Sequence, residues 1–134
     1  MLELIPLVVM GIPVAISDIK YHRIPNRALV VLWILEEVSQ LHQGWHFMLF
    51  TNIRSLLIFI TGCVLHLLTG TAIGMGDIKL FALLALLFGD LSRSMEVLTY
   101  AAVIALIYAV GTRKRCIPFA PALLLGAVAV ILGG

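Results

Sequence analysis

Two aspartates in this sequence stand where they could act together as an acid and a base. Asp18 directly follows the first apolar run, and Asp77 closes the string Gly74-Met75-Gly76-Asp77 just before the fourth. Two carboxyls held close together cannot both ionise cheaply, because the charge on one disfavours the charge on the other. One can then take a proton from water while the other donates a proton. This is the chemistry of amide hydrolysis without a metal or a nucleophilic side chain.

The glycines before the second aspartate have a physical use. Gly74 and Gly76 allow backbone conformations closed to other residues, and they let a second chain approach closely. A peptide must leave its helical form to be cut, so a glycine-lined stretch would leave room for its extended backbone. The simpler interpretation is that Asp18 and Asp77 only cap helix starts, where carboxylates are stabilised. That interpretation does not explain why each lies in a distinctive local string.

The composition defines the environment of these residues. Of the 134 residues, 62% are hydrophobic and 12% are charged, and the mean hydropathy is +1.13. A chain this short cannot bury so much apolar surface away from water, so most of it must face lipid. The composition excludes a disordered tail, a collagen-like fibre, a disulfide scaffold and a conventional nucleic-acid binder. We expect one integral-membrane domain over residues 1–134. Cys63 and Cys116 form no C-x-x-C pair, which argues against zinc.

Six apolar runs predict the elements that position the aspartates. With no alternating strand pattern, we expect an all-α, polytopic membrane bundle of about six transmembrane helices with short loops. The fourth run reaches full length only by including Asp77 or Asp90. The competing interpretation is five spans and a re-entrant segment. The runs are Leu2–Ile16, Ala28–Leu41, Ile53–Leu68, Leu80–Phe88, Val97–Val110 and Ala120–Leu132.

The basic residues support this count. Seven of the nine lie in the first, third and fifth loops of a six-span chain, which all emerge on one face: Lys20, Arg23, Arg27, Lys79, Arg113, Lys114 and Arg115. The positive-inside rule places that face in the cytoplasm, and anionic lipid headgroups would contact these residues. Two spans separate Asp18 from Asp77, so both return to the same face.

Glu36 and Glu37 interrupt the second span and are expected near its far end or facing the bundle.

Three strings together resemble the motifs of type IV prepilin peptidases, which are polytopic aspartic proteases of the GxGD class. The resemblance covers essentially the whole chain in order and spacing. Ala120 stands where family members often have glycine. The strings are Asp18 with Ile24-Pro25-Asn26, Gly74-Met75-Gly76-Asp77 with Lys79, and Ile117-Pro118-Phe119-Ala120-Pro121.

The resemblance implies that Asp18 and Asp77 are the catalytic pair and that no metal or cofactor takes part. The implied activity is removal of the short basic leader from prepilin or pseudopilin precursors of type IV pilus or type II secretion systems. It implies a multi-pass protein of the bacterial inner membrane with its active site at the cytoplasmic face. The residues expected to bind substrate or shape the site are Gly74, Gly76, Lys79, Pro25, Asn26, Pro118 and Phe119.

Many bacterial relatives carry an additional N-terminal cytoplasmic region with paired C-x-x-C motifs and N-methyltransferase activity. This sequence resembles the short, peptidase-only form, and we expect no methylation by this polypeptide. Its partners would be precursor proteins and membrane lipids, with no nucleic acid, and the sequence leaves the oligomeric state open. The alternatives are a preflagellin-type or other GxGD protease, a small proton- or ion-coupled transporter or assembly factor, and a structural membrane subunit.

Overall fold

The computed structural model describes residues 4–70, 74–113 and 117–133, which form six α-helices and one 3₁₀ turn, Leu41–Gln43. The prediction of an all-α chain is confirmed, and each predicted apolar run overlaps one helix. The helices are α1 Leu4–Tyr21, α2 Asn26–Gln40, α3 Trp45–Leu68, α4 Met75–Phe88, α5 Leu91–Thr112 and α6 Phe119–Gly133.

Three of these helices, α1, α3 and α5, are long and apolar enough to cross a membrane, and α6 is a shorter apolar helix. Their surfaces expose large apolar side chains such as Ile12, Leu57 and Ile107, as expected for contact with lipid. The chain is therefore a multi-pass membrane protein. With 14 residues, α4 is only about 21 Å long, which is less than the roughly 30 Å of a bilayer core. The six-span topology stays a prediction.

The central helix of the bundle is α4, which packs against α2, α3, α5 and α6. Its sequence after Lys79 is almost entirely apolar, and a helix that is apolar on all sides is stable only when it is surrounded. Accordingly its residues from Leu84 to Phe88 are all buried. A tight turn then leads to α5. Gly89 adopts a left-handed conformation with φ 60°, and the Asp90 side chain accepts a hydrogen bond from Ser92 N–H at 3.2 Å.

Missing side chains allow several helices to approach closely. A Cβ at Gly126 of α6 would lie 2.8 Å from the backbone oxygen of Val97 in α5. A Cβ at Gly11 of α1 would lie 3.1 Å from Leu124 Cδ2 of α6. Small residues at helix contacts are the usual means of close packing in membranes. Here they fix α6 between α5 and α1.

Polar side chains also join the helices to α4. Ser55 Oγ donates to the backbone oxygen of Ala82 at 2.6 Å, and Gln40 Nε2 donates to the backbone oxygen of Leu86 at 2.7 Å. Glu36 is fully buried and faces the bundle, and neither of its carboxyl oxygens has a hydrogen-bond partner among the described residues. Its neighbour Glu37 accepts a hydrogen bond from Asn52 Nδ2 at 2.6 Å.

Candidate active site

Asp18 lies on the buried face of α1. The buried residues of that helix include Leu7, Gly11, Val14 and Asp18, and intervals of three and four residues place them on one side of a helix. The side chain is only 6% exposed. A polar partner stabilises a carboxyl in this position, because an unpartnered buried charge is costly.

The backbone of α6 provides that partner. Ala120 N–H donates a hydrogen bond to Asp18 Oδ2 at 3.1 Å, joining residues 102 positions apart. Ala120 is the second residue of α6, where backbone N–H groups have no acceptor within the helix. Pro118 and Pro121 on either side have no N–H to offer and are compatible with a helix start. The hydrogen bond to the N-terminus of α6 thus gives the buried Asp18 carboxyl its polar partner.

Asp77 has a different environment. It lies in the first turn of α4, ahead of the apolar run that begins at Leu80. Burial and the negative charge of Asp18 raise the pKa of the Asp77 carboxyl from its usual 3.8 to about 6. The Asp77 carboxyl therefore retains a proton in mildly acidic solution.

The glycines beside Asp77 act through their missing side chains. Neither glycine adopts a left-handed conformation: in the described residues the glycines with positive φ are Gly44, Gly70 and Gly89, and Gly74 has φ −67°. A Cβ at Gly74 would lie 2.9 Å from Asp77 Oδ2.

The second glycine makes room for another part of the chain. A Cβ at Gly76 would lie 3.3 Å from the Ile24 side chain. Gly74 therefore leaves space for the carboxylate of Asp77, and Gly76 lets the segment between α1 and α2 pack on the start of α4.

Asp18 and Asp77 line one cavity of about 270 Å³. The structure thus brings together the two aspartates that the sequence singled out, although they lie on different helices. Gly74, Gly76, Asn26 and Lys79 line the same cavity. The other lining residues are His22, Arg23, Ile24 and Met75.

Four of these lining residues, His22, Arg23, Ile24 and Met75, were not predicted as site residues. The signal in the sequence is the position of the first three between Asp18 and Pro25, and of Met75 between Gly74 and Gly76. His22 ends α1 in a left-handed conformation with φ 50°, which turns the chain back over Asp18. Ser17 Oγ then donates to the backbone oxygen of Arg23 at 2.9 Å and holds that turn.

A hydrogen bond joins two further predicted residues. Lys79 Nζ donates to Asn26 Oδ1 at 3.2 Å. Pro25 precedes α2 as its N-cap, in an extended conformation, and lies outside the lining of the cavity. Phe119 lines a neighbouring apolar groove that also reaches Asp77.

Part of the basic cluster that the sequence placed at this end lies outside the described residues, namely Lys114 and Arg115, and so does Cys116. Arg113 is described and ends α5 in a left-handed conformation with φ 53°.

A sequence model described as the type IV leader peptidase family matches residues 5–110, which is most of the chain. The matched range contains Asp18 and Asp77, whereas Pro118, Phe119 and Ala120 lie beyond it. No significant match is found to a curated protein or to a solved structure.

Proposed function

Because the chain belongs to the type IV leader peptidase family, we propose that it is a membrane aspartic endopeptidase that removes the short basic leader from prepilin or pseudopilin precursors. Membership of this family implies an aspartic peptidase, and Asp18 and Asp77 are the proposed catalytic pair. The proposal treats residues 1–134 as one membrane peptidase domain. Its substrates would belong to a type IV pilus or a type II secretion system.

The observation that carries this proposal is the unequal environment of two carboxyls in one cavity. Asp18 accepts a hydrogen bond from Ala120 N–H at the N-terminus of α6. Burial and the charge of Asp18 raise the pKa of Asp77 to about 6. A carboxyl whose pKa is raised can serve as the acid of a carboxyl pair, and the other carboxyl then serves as the base. Asp18 is then the base and Asp77 the acid.

The reaction follows from these roles. The Asp18 carboxylate takes a proton from water as the water oxygen bonds to the carbonyl carbon, and Asp77 gives its proton to the carbonyl oxygen. The C–N bond then breaks as Asp18 passes its proton to the leaving nitrogen. Asp77 recovers a proton from the hydroxyl that becomes the new carbonyl. Both carboxyls end in their starting protonation states.

The same end of the bundle is proposed to face the cytoplasm of a bacterial inner membrane. The C-terminus of α1 and the N-termini of α2, α4 and α6 meet there, and the segment 20–27 with Lys79 makes this end basic. The positive-inside rule favours a cytoplasmic position. Precursor leaders and anionic lipid headgroups would be present at that surface.

The test is cleavage of a co-expressed precursor by Asp18→Asn and Asp77→Asn variants. Each substitution keeps size and most hydrogen bonding but removes the exchangeable proton, so each alone should lower the cleavage rate by about 100-fold or more. The variants must insert into the membrane as the unsubstituted protein does. Leader removal is followed as a mobility shift.

Asp90→Asn and Glu96→Gln are the matched controls, because each removes one carboxylate from an exposed position outside the cavity. Asparagine also preserves the cap that Asp90 gives to α5. Near-normal cleavage by a well-inserted Asp77→Asn protein would overturn the proposal. An ion-coupled transporter would then become the better explanation of the aspartates. Cleavage of preflagellin but not of prepilin would instead reassign the substrate.

A further inference from the structure

Lys79 carries a positive charge into the cavity of the two aspartates. Its ammonium group has three N–H donors, and one of them binds Asn26 Oδ1 at 3.2 Å. Within the part of the chain that the structure describes, Lys79 makes no further hydrogen bond and forms no ion pair, although Asp18 and Asp77 line the same cavity. Two donors and the positive charge are therefore left for a ligand.

The position of Lys79 in α4 accounts for this separation. Asp77 and Lys79 are two residues apart in one helix, and side chains at that interval do not face each other. The bond to Asn26 also holds the ammonium group toward the start of α2. The pKa of Asp77 agrees with this arrangement, because a paired lysine would lower it, whereas burial and the charge of Asp18 raise it to about 6.

Hydrolysis of a peptide bond creates an anion where the substrate had none. The peptide bond is neutral, but cleavage leaves a new carboxyl at the end of the leader, with one oxygen from water, and this carboxyl releases its proton to solvent. The negative charge of Asp18 disfavours another carboxylate nearby. An ammonium group stabilises that carboxylate through charge-assisted hydrogen bonds. Lys79 therefore distinguishes the cleaved leader from the intact precursor.

We propose that Lys79 binds the carboxylate formed at the end of the cleaved leader, so that the leader stays in the cavity as a product inhibitor. This inference rests on the proposed peptidase function. The bound leader keeps the next precursor from Asp18 and Asp77, and cleavage slows as leader accumulates. A lysine that stabilised only the carbonyl oxygen during the reaction would change the rate of cleavage but not the affinity for the product.

The experiment uses two synthetic peptides with the sequence of the leader, one ending in a carboxylate and the other in an amide, as inhibitors of precursor cleavage. The unsubstituted protein should bind the carboxylate peptide about tenfold more tightly, the effect of one hydrogen bond between charged groups. In Lys79→Met the two inhibition constants should become equal, and in Lys79→Arg most of the difference should remain. Equal constants in the unsubstituted protein, or an unchanged ratio in Lys79→Met, would overturn the proposal.

Control variants separate binding from positioning and from general charge. Asn26→Ala removes the partner of Lys79 but keeps the charge, so it should retain the preference for the carboxylate peptide although its cleavage is slower. Lys20→Met removes an exposed lysine that does not line the cavity and should leave the ratio unchanged. Equal loss of the preference in Asn26→Ala and Lys79→Met would show that Lys79 only positions other groups. Because Arg23 also lines the cavity, loss in Arg23→Met but not in Lys79→Met would contradict the assignment.

Direct binding distinguishes this inference from the proposed function. The dissociation constants of the two peptides, each with a fluorescent label at its N-terminus, are measured on the purified protein without precursor. A preference for the carboxylate that disappears in Lys79→Met would support the carboxylate site even in a protein that cleaves no precursor, in which case the proposed function fails. Normal cleavage together with equal dissociation constants would reject the carboxylate site alone.

Discussion

Lys79 Nζ donates a hydrogen bond to Asn26 Oδ1 at 3.2 Å, and this bond joins the first residue of α2 to the start of α4. Asp77 lies two residues before Lys79, and both ends of the bond line the cavity of the two aspartates. The bond therefore holds the segment after Asp18 against the helix that carries Asp77. The bond thereby helps to fix the positions of the Asp18 and Asp77 carboxyls relative to each other.

We expect Lys79→Met and Asn26→Ala each to lower kcat/KM by about three- to fivefold, the value of one exposed hydrogen bond. The double variant should lose no more than either single one, because both remove the same bond. Lys20→Met is the control, since this exposed lysine of α1 does not line the cavity. Multiplying losses in the double variant would show that Lys79 and Asn26 act independently.

The pKa of Asp77 predicts a pH dependence. As the pH rises through about 6, Asp77 loses the proton that it must donate, so cleavage should decline above that pH. The apparent pKa of this limb belongs to the pair rather than to one residue. A cleavage rate that keeps rising well above this pH would contradict the assignment of Asp77 as the acid.

Carbodiimide labelling offers a direct measurement of that proton, because the reagent modifies protonated carboxyls. Asp77 labelling should decrease as the pH passes about 6. In Asp18→Asn the negative neighbour is gone, so the midpoint should move to lower pH, while burial still holds it above the ordinary value. An unchanged midpoint would show that Asp18 does not influence Asp77.

Substitutions at Ala120 test whether its backbone N–H, the hydrogen-bond donor to Asp18, is needed for activity. Ala120→Pro removes the N–H that binds Asp18 and should lower kcat by about 10- to 100-fold, as expected for a hydrogen bond to a charged group. Ala120→Gly keeps the N–H and should keep most activity. Membrane insertion of both variants is measured in parallel. Equal activity of the two inserted proteins would exclude a role for this donor.

A substitution at Gly74 tests whether the space beside the Asp77 carboxyl is needed for activity. Gly74→Ala places a methyl group 2.9 Å from the present position of Asp77 Oδ2, so the carboxylate must move. A displacement of this kind should cost about 10- to 100-fold in kcat. Gly111→Ala in the last turn of α5 is the control, because a Cβ there meets nothing within 4 Å. It should leave activity unchanged and slightly stabilise the helix. Equal kcat in the two variants would contradict the role of Gly74.

The helices of this fold could be predicted from the sequence. In lipid, a spanning segment must satisfy its own backbone hydrogen bonds, so each apolar run predicts a helix. The burial of Asp18 was not predicted, because Asp18 was expected to follow the first apolar run, although its spacing to Leu7, Gly11 and Val14 places it on the buried face of α1. The hydrogen bond from Ala120 could not be predicted, because every residue except proline carries a backbone N–H and nothing in its type marks a partner 102 positions away. The role of Gly74 was also hidden, since the contact that a missing side chain permits is defined only by the folded structure.

The contact between α1 and α6 has a consequence for how the protein is made. The ribosome produces Asp18 before Ala120, which lies 102 positions later, and segments fold in the order in which they emerge. Asp18 therefore enters the membrane without its backbone donor, and the proposed acid–base pair has this hydrogen bond only after α6 has packed on α1. A nascent chain that ends before α6 contains both aspartates but lacks the donor of Asp18.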